Sequence, residues 1–139
     1  MKRIFCIWGL LFLLCIIPST VYASSGSGEI GPKYVGVVFS NGTLDIYNGN
    51  CVINGYVQAR SGYEAYITAT LYERDSNGAW RNVGSWPGVK PALVERRVVE
   101  VSYPATYGKE YMAQFDITAY LGNAIVDTDR FYSEVKNAY

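Results

Sequence analysis

Between turn signals that recur about every ten residues, apolar and polar side chains alternate with a period of two, and after Lys33 no 3.6-residue stripe develops. Successive side chains of a strand point to opposite faces, so this pattern describes half-buried strands and argues against helices. From Cys51 to Arg60, one face carries Cys51, Ile53, Gly55, Val57 and Ala59, the other Val52, Asn54, Tyr56, Gln58 and Arg60. From Ala65 to Arg74, Ala65, Ile67, Ala69 and Leu71 oppose Tyr66, Thr68, Thr70, Tyr72 and Arg74. The cleanest run is Glu110 to Tyr120, where Tyr111, Ala113, Phe115, Ile117 and Ala119 alternate with Met112, Gln114, Asp116, Thr118 and Tyr120.

The remaining strands follow from the punctuation. Val35 to Phe39 reads as a first strand, turned by Asn41-Gly42 into a short strand from Thr43 to Tyr47. Asn48-Gly49-Asn50, Ser61-Gly62, Asp75-Ser76-Asn77-Gly78 and Leu121-Gly122-Asn123 supply further turns, with glycine free to adopt positive φ. Trp80 to Trp86 is a strand stopped by Pro87-Gly88, Ala92 to Tyr103 another, and Ala124 to Glu134 closes the set. Trp80 and Trp86 differ by six positions, so strict alternation puts both on one face, against the core. Seven or eight strands without a crossover helix give an all-β protein. An antiparallel two-sheet immunoglobulin-like sandwich is the economical arrangement, with a small closed barrel as the rival.

Two resemblances favour the sandwich. The run Glu110 to Tyr120 resembles the F strand of fibronectin type III and immunoglobulin-like domains, in which a tyrosine opens the strand. That likeness implies that Tyr111 or Tyr107 is the corner tyrosine whose hydroxyl bonds back to the main chain. The chain departs from the pattern in having no cysteine pair and no tryptophan between Ala65 and Arg74. The segment Ala65 to Pro87, with its Asn77-Gly78-x-Trp80 turn and Val83-x-x-Trp86 strand, is similar to small exported proteins of Gram-positive bacteria classed as a domain of unknown function. The likeness extends loosely through Tyr120 to Tyr132, and implies a secreted immunoglobulin-like sandwich but no particular activity.

Residues 1–23 have the three-part anatomy of a secretory signal peptide: Lys2 and Arg3, an uncharged apolar run from Ile4 to Ile17, then Val21-Tyr22-Ala23 before Ser24. A membrane span takes ~20 apolar residues, so the fourteen of this run are short for an anchor. Leu14 before Cys15 is wrong for a lipid-attachment site. Residues 24–32, small and glycine-rich, read as a flexible leader, and 33–139 as one domain. Cleavage leaves 116 residues with ten basic and twelve acidic side chains, a net charge of −2. No basic stripe marks a nucleic-acid partner. Cys51 is then the single thiol, with no disulfide partner, and it alternates with Ile53 and Val57 as a buried, inert residue would. One thiol in an exported domain fits a bacterial product.

The chain contains no histidine. That removes Ser-His-Asp and Cys-His nucleophiles and every imidazole metal ligand. Carboxylates remain: Asp127 and Asp129, two residues apart, and Asp116 on the preceding strand could in principle form a hydrolytic or calcium-binding group. Pairing across strands with Arg130, Arg74 or Arg81 is the simpler expectation for them, and turn chemistry explains Asp75 to Gly78. Tyrosine is the compositional outlier, with twelve in the mature chain. Tyr66, Tyr72 and Tyr120, beside Arg74, share the polar face of neighbouring strands and form the candidate binding surface, because tyrosine gives stiff contact area with a hydrogen-bonding tip. The reading is a secreted, non-catalytic interaction module for an extracellular protein or glycan, with no cofactor and no metal. The alternatives are a structural component of an extracellular or cell-surface layer, and a carboxylate-dependent glycan hydrolase. Mass spectrometry of the exported protein is expected to find Ser24 at its N-terminus, and Ala23→Asp should block that cleavage.

Overall fold

The computed structural model describes residues 34–91 and 96–139. The segments read from the sequence as signal peptide and leader, and the start of the strand expected from Ala92, lie outside the described residues. Eight strands follow in order: β1 (Val37–Tyr47), β2 (Asn50–Ala59), β3 (Glu64–Arg74), β4 (Trp80–Pro87), β5 (Arg96–Pro104), β6 (Glu110–Leu121), β7 (Ala124–Tyr132) and the short β8 (Lys136–Asn137). They form two antiparallel sheets, β1-β2-β5 and β4-β3-β6-β7, with β8 continuing beside β6 where β7 ends. This is the expected antiparallel two-sheet sandwich. No helix among the described residues is long and apolar enough to cross a membrane.

Tight turns make the hairpins within each sheet. Asn48 and Gly49 both have positive φ (47° and 72°), as a two-residue hairpin joining right-twisted strands requires. In the β3–β4 turn, Asp75 Oδ1 accepts from the amides of Asn77 (2.8 Å) and Ala79 (2.9 Å), so that aspartate serves the turn.

The inner faces meet as the alternation demands. Cys51, Ile53 and Val57 from β2 pack with Ile67, Ala69 and Leu71 from β3 and Ala113, Phe115 and Ile117 from β6, all at most 3% exposed. Phe115 is seated against bare backbone. Gly42 and Gly55 are cross-strand partners in the opposing sheet, and a Cβ on them would come within 2.5 Å and 2.8 Å of the Phe115 ring. Phe131 stacks beside it, 5.1 Å between centroids. That seat explains why Asn41-Gly42 is not the expected turn: β1 runs unbroken from Val37 to Tyr47, with Gly42 inside it because the ring needs the room.

Tyr111 is the corner tyrosine, and Tyr107 is exposed. The Tyr111 hydroxyl accepts from the Thr106 amide and donates to Glu73 Oε2, both at 2.8 Å, while Arg81 reaches the other Glu73 oxygen at 3.2 Å. Burial raises the Tyr111 pKa, the Thr106 hydrogen bond opposes that shift, and Glu73 adds to it. Cys51 is fully buried, and burial first, then the Glu73 charge, pushes its thiol up to about 11.

Two further expectations fail, the first at a β-bulge. In β4, Val83 is an extra residue between Gly84, opposite Leu71, and Asn82, opposite Tyr72. The bulge inverts the face, so Trp80 and Trp86 point to opposite sides. Trp86 packs on the core beside Tyr103, and its indole occupies space that a side chain on Gly84 would fill. Trp80 lies outside under the Arg74 guanidinium. Thr70 and Gln114, expected on the open face, are only 6% and 8% exposed. Thr70 bonds Ser85 at 3.0 Å, and Gln114 accepts from Tyr72 at 3.3 Å and donates to Asp116 at 2.6 Å, so polar neighbours cover them.

Gly42→Ala or Gly55→Ala should each cost roughly 1–3 kcal/mol in urea unfolding, the usual cost of overfilling a packed core. In the Phe115→Leu background either cost should shrink by at least about 0.5 kcal/mol, a coupling typical of residues in contact. Strictly additive costs would show that the ring does not rest on these glycines.

Candidate functional site

Of the four side chains proposed from the sequence, the fold brings two together. Tyr66 stands opposite Thr118 and Tyr120 opposite Glu64, so the two rings are diagonal neighbours on the outer face of the β4-β3-β6-β7 sheet. They meet edge to face, 5.6 Å apart at 88°, a favoured aromatic geometry. Tyr66 is 39% exposed. Its hydroxyl donates to Glu64 Oε2 at 2.8 Å, and that bond, reinforced by the Glu64 charge, raises its pKa against the opposing pull of Arg97. A shallow depression of about 360 Å³ lies here, lined by Glu64, Tyr66, Tyr120, Gly122 and Asn123.

Tyr72 and Arg74 do not belong to this surface. Six residues of strand put Tyr72 about 20 Å from Tyr66, with the Thr70 and Gln114 positions between. Tyr72 is bonded to Gln114. Arg74 is engaged by Glu110 at 2.7 Å, by the Gly78 carbonyl at 3.2 Å and by the Trp80 ring.

Arg97, which alternation gives no reason to choose, completes the surface. In register it opposes Val57, on the other sheet. It can reach Tyr66 because β4 pairs with β3 only as far as Thr68↔Pro87. The chain then crosses between sheets, held by Gly88 N to Ile67 O at 2.7 Å and by a Val89↔Val98 bridge. Past that crossing the edge of β3 is open, and the Arg97 guanidinium lies 3.9 Å above the Tyr66 ring.

Its neighbour Arg96 points to the opposite side of β5 and lies 5.6 Å over Tyr56, which is itself stacked on Phe39 at 5.1 Å. This second aromatic cluster was also missed. The signal for it was present in the Arg96-Arg97 doublet, since adjacent strand residues must point to opposite faces.

The three carboxylates do not converge. Asp116 is on the outer face, bonded to Arg130 at 2.6 Å. A bulge at Val126 precedes Asp127 and Asp129, which oppose the inward-facing Ala119 and Ile117. They hold the segment entering β1. Asp127 accepts from the amides of Val35 (3.2 Å) and Gly36 (2.5 Å), and Asp129 accepts from the Tyr34 hydroxyl. Among the described residues, no group of three histidine, cysteine, aspartate or glutamate side chains is placed to hold a metal ion.

Burial, then the bond to Asp129, raises the Tyr34 pKa above its ordinary value of 10.0. A group that holds its proton more tightly when folded stabilises the fold fully below its unfolded pKa, and loses that contribution as pH rises through the folded value. Thermal melting above about pH 10 should therefore fall more steeply for the wild type than for Tyr34→Phe, which starts lower at neutral pH. Parallel curves would show that the contact contributes nothing. In comparisons with protein-family models, with curated proteins and with solved structures, nothing matches this chain.

Proposed function

We propose that this chain is an exported, non-catalytic recognition module that binds an extracellular glycan or protein through the face bearing Tyr66 and Tyr120. The observation that carries the reading is the edge-to-face tyrosine pair beside the depression flanked by Glu64 and Asn123. It offers exposed ring area together with a carboxylate and an amide, which suits a ligand with both flat apolar faces and hydroxyl or amide groups. The depression is open and shallow, a form that favours surface recognition over the enclosed sites that shelter chemistry. Export follows from the Lys2-Arg3, apolar and Val21-Tyr22-Ala23 pattern of the first 23 residues, and the lack of histidine supports a non-enzymatic role.

Glycan-array and surface-capture experiments on the mature chain test this. The Tyr66→Ser/Tyr120→Ser double variant should fold and lose ligand by about tenfold or more. Tyr72→Ser, some distance away, should bind as the wild type does. Equal binding by all three proteins, or unfolding of the double variant, would assign the tyrosines a structural role only.

A further inference from the structure

We propose that the same pole of the sandwich is built for an acidic glycan: Arg97 receives one oxyanion group, and Tyr66 with Tyr120 receives the adjoining sugar. This rests on the recognition reading above and names its ligand class.

The arginines divide by position. Arg74, Arg81 and Arg130 each have a carboxylate partner, at 2.7, 3.2 and 2.6 Å. Arg60, Arg96 and Arg97, all near the start of β3, have none among the described residues. The mature chain is net negative by two, so a local excess of unneutralised guanidinium runs against the overall charge.

Two of these cations are also held in place. Arg96 lies over Tyr56 on one side of β5 and Arg97 over Tyr66 on the other, 5.6 and 3.9 Å from the ring centroids. A guanidinium over a ring keeps several N–H groups able to donate. Side chains ordered before binding lose less entropy on contact, and the planar fork matches the oxygens of a carboxylate or phosphate.

Beside Arg97 lies a second, smaller cleft of about 80 Å³, lined by the apolar Val57 and Ala65 and by Glu64, Lys90, Arg96 and Arg97. The tyrosine depression is more than four times larger. Arg97 joins the two, since it rims the cleft and covers Tyr66. Glu64 borders both, and with one oxygen held by Tyr66 it can accept a sugar hydroxyl while repelling a second acid. The geometry therefore fits a residue with one acidic substituent, phosphate or carboxylate, next to a neutral ring.

The mature protein would be tested by affinity electrophoresis and calorimetry against phosphomannan and its dephosphorylated mannan, and against polygalacturonate and its methyl ester. At least one charged polymer should bind about tenfold or more tightly than its uncharged counterpart, and raising NaCl from about 50 to 200 mM should weaken binding several-fold. Preference for phosphomannan assigns a phosphate, preference for polygalacturonate a carboxylate, and both an unselective oxyanion site. Arg97→Gln should remove most of that preference, while Arg96→Gln, on the opposite side of β5, and Arg130→Gln should not. Should Arg97→Gln unfold, the salt dependence of the wild type and its preference between charged and uncharged polymers decide. Equal binding to charged and uncharged polymers that is lost in Tyr66→Ser would overturn the acid assignment and leave the recognition surface standing. No binding to any of the four, or capture of only a protein partner, would overturn the glycan assignment.

Discussion

The ring of Phe115 on the paired glycines Gly42 and Gly55 is the contact on which the rest of the sandwich depends. Two sheets pack about 10 Å apart, and a phenylalanine at the centre of that gap fits only where the opposing sheet has no side chains. The pair of glycines therefore sets which residues of β1 and β2 lie over which part of β6. Ile67 completes the lining, because a Cβ on Gly55 would also approach its Cδ1 at 3.3 Å. The seat constrains chain path too: a strand that must keep a bare Cα under the ring cannot fold back at that residue.

The interior strands were legible and three of the edge strands were not. β2, β3 and β6 are each paired on both sides, so a slipped register would expose a whole apolar face, and their alternation holds from end to end. β1, β4 and β7 each have one free side, and each contains a bulge. A bulge inserts one residue and turns the following side chains to the other face. Trp80 was left outside while Trp86 entered the core, and Asp127 and Asp129 turned inward, for this one reason. Period-two counting carries no information about where a bulge falls. The second tyrosine signal in the sequence, Tyr111 opening β6, was readable because its role is local: its hydroxyl returns to the amide five residues before it.

The candidate site was half legible. Tyr66 and Tyr120 share a face and an end of the sheet, which follows from pairing β3 with β6. Tyr72 shares the face but not the end, and alternation alone fixes only the face. Arg97 comes from the other sheet and reaches Tyr66 only because β4 stops at Pro87. A contact between sheets at an open edge depends on where strands end, which is the least determined property of a strand pattern.

Antibody-type domains tie their sheets with a disulfide from the second strand to a cysteine two residues after the corner tyrosine. Here Cys51 lies on β2, and Ala113 stands two residues after Tyr111. The described domain thus carries one thiol where that cross-link would need two, and its sheets are held by packing and by hydrogen bonds such as those of Asp127 and Asp129, without a cross-link. Its folding equilibrium is accordingly indifferent to the redox potential around it, the same in a reducing cytoplasm and an oxidising exterior. Cys51, sealed between the sheets, meets an external reagent only when they separate, which makes it a built-in reporter of how often the sandwich opens.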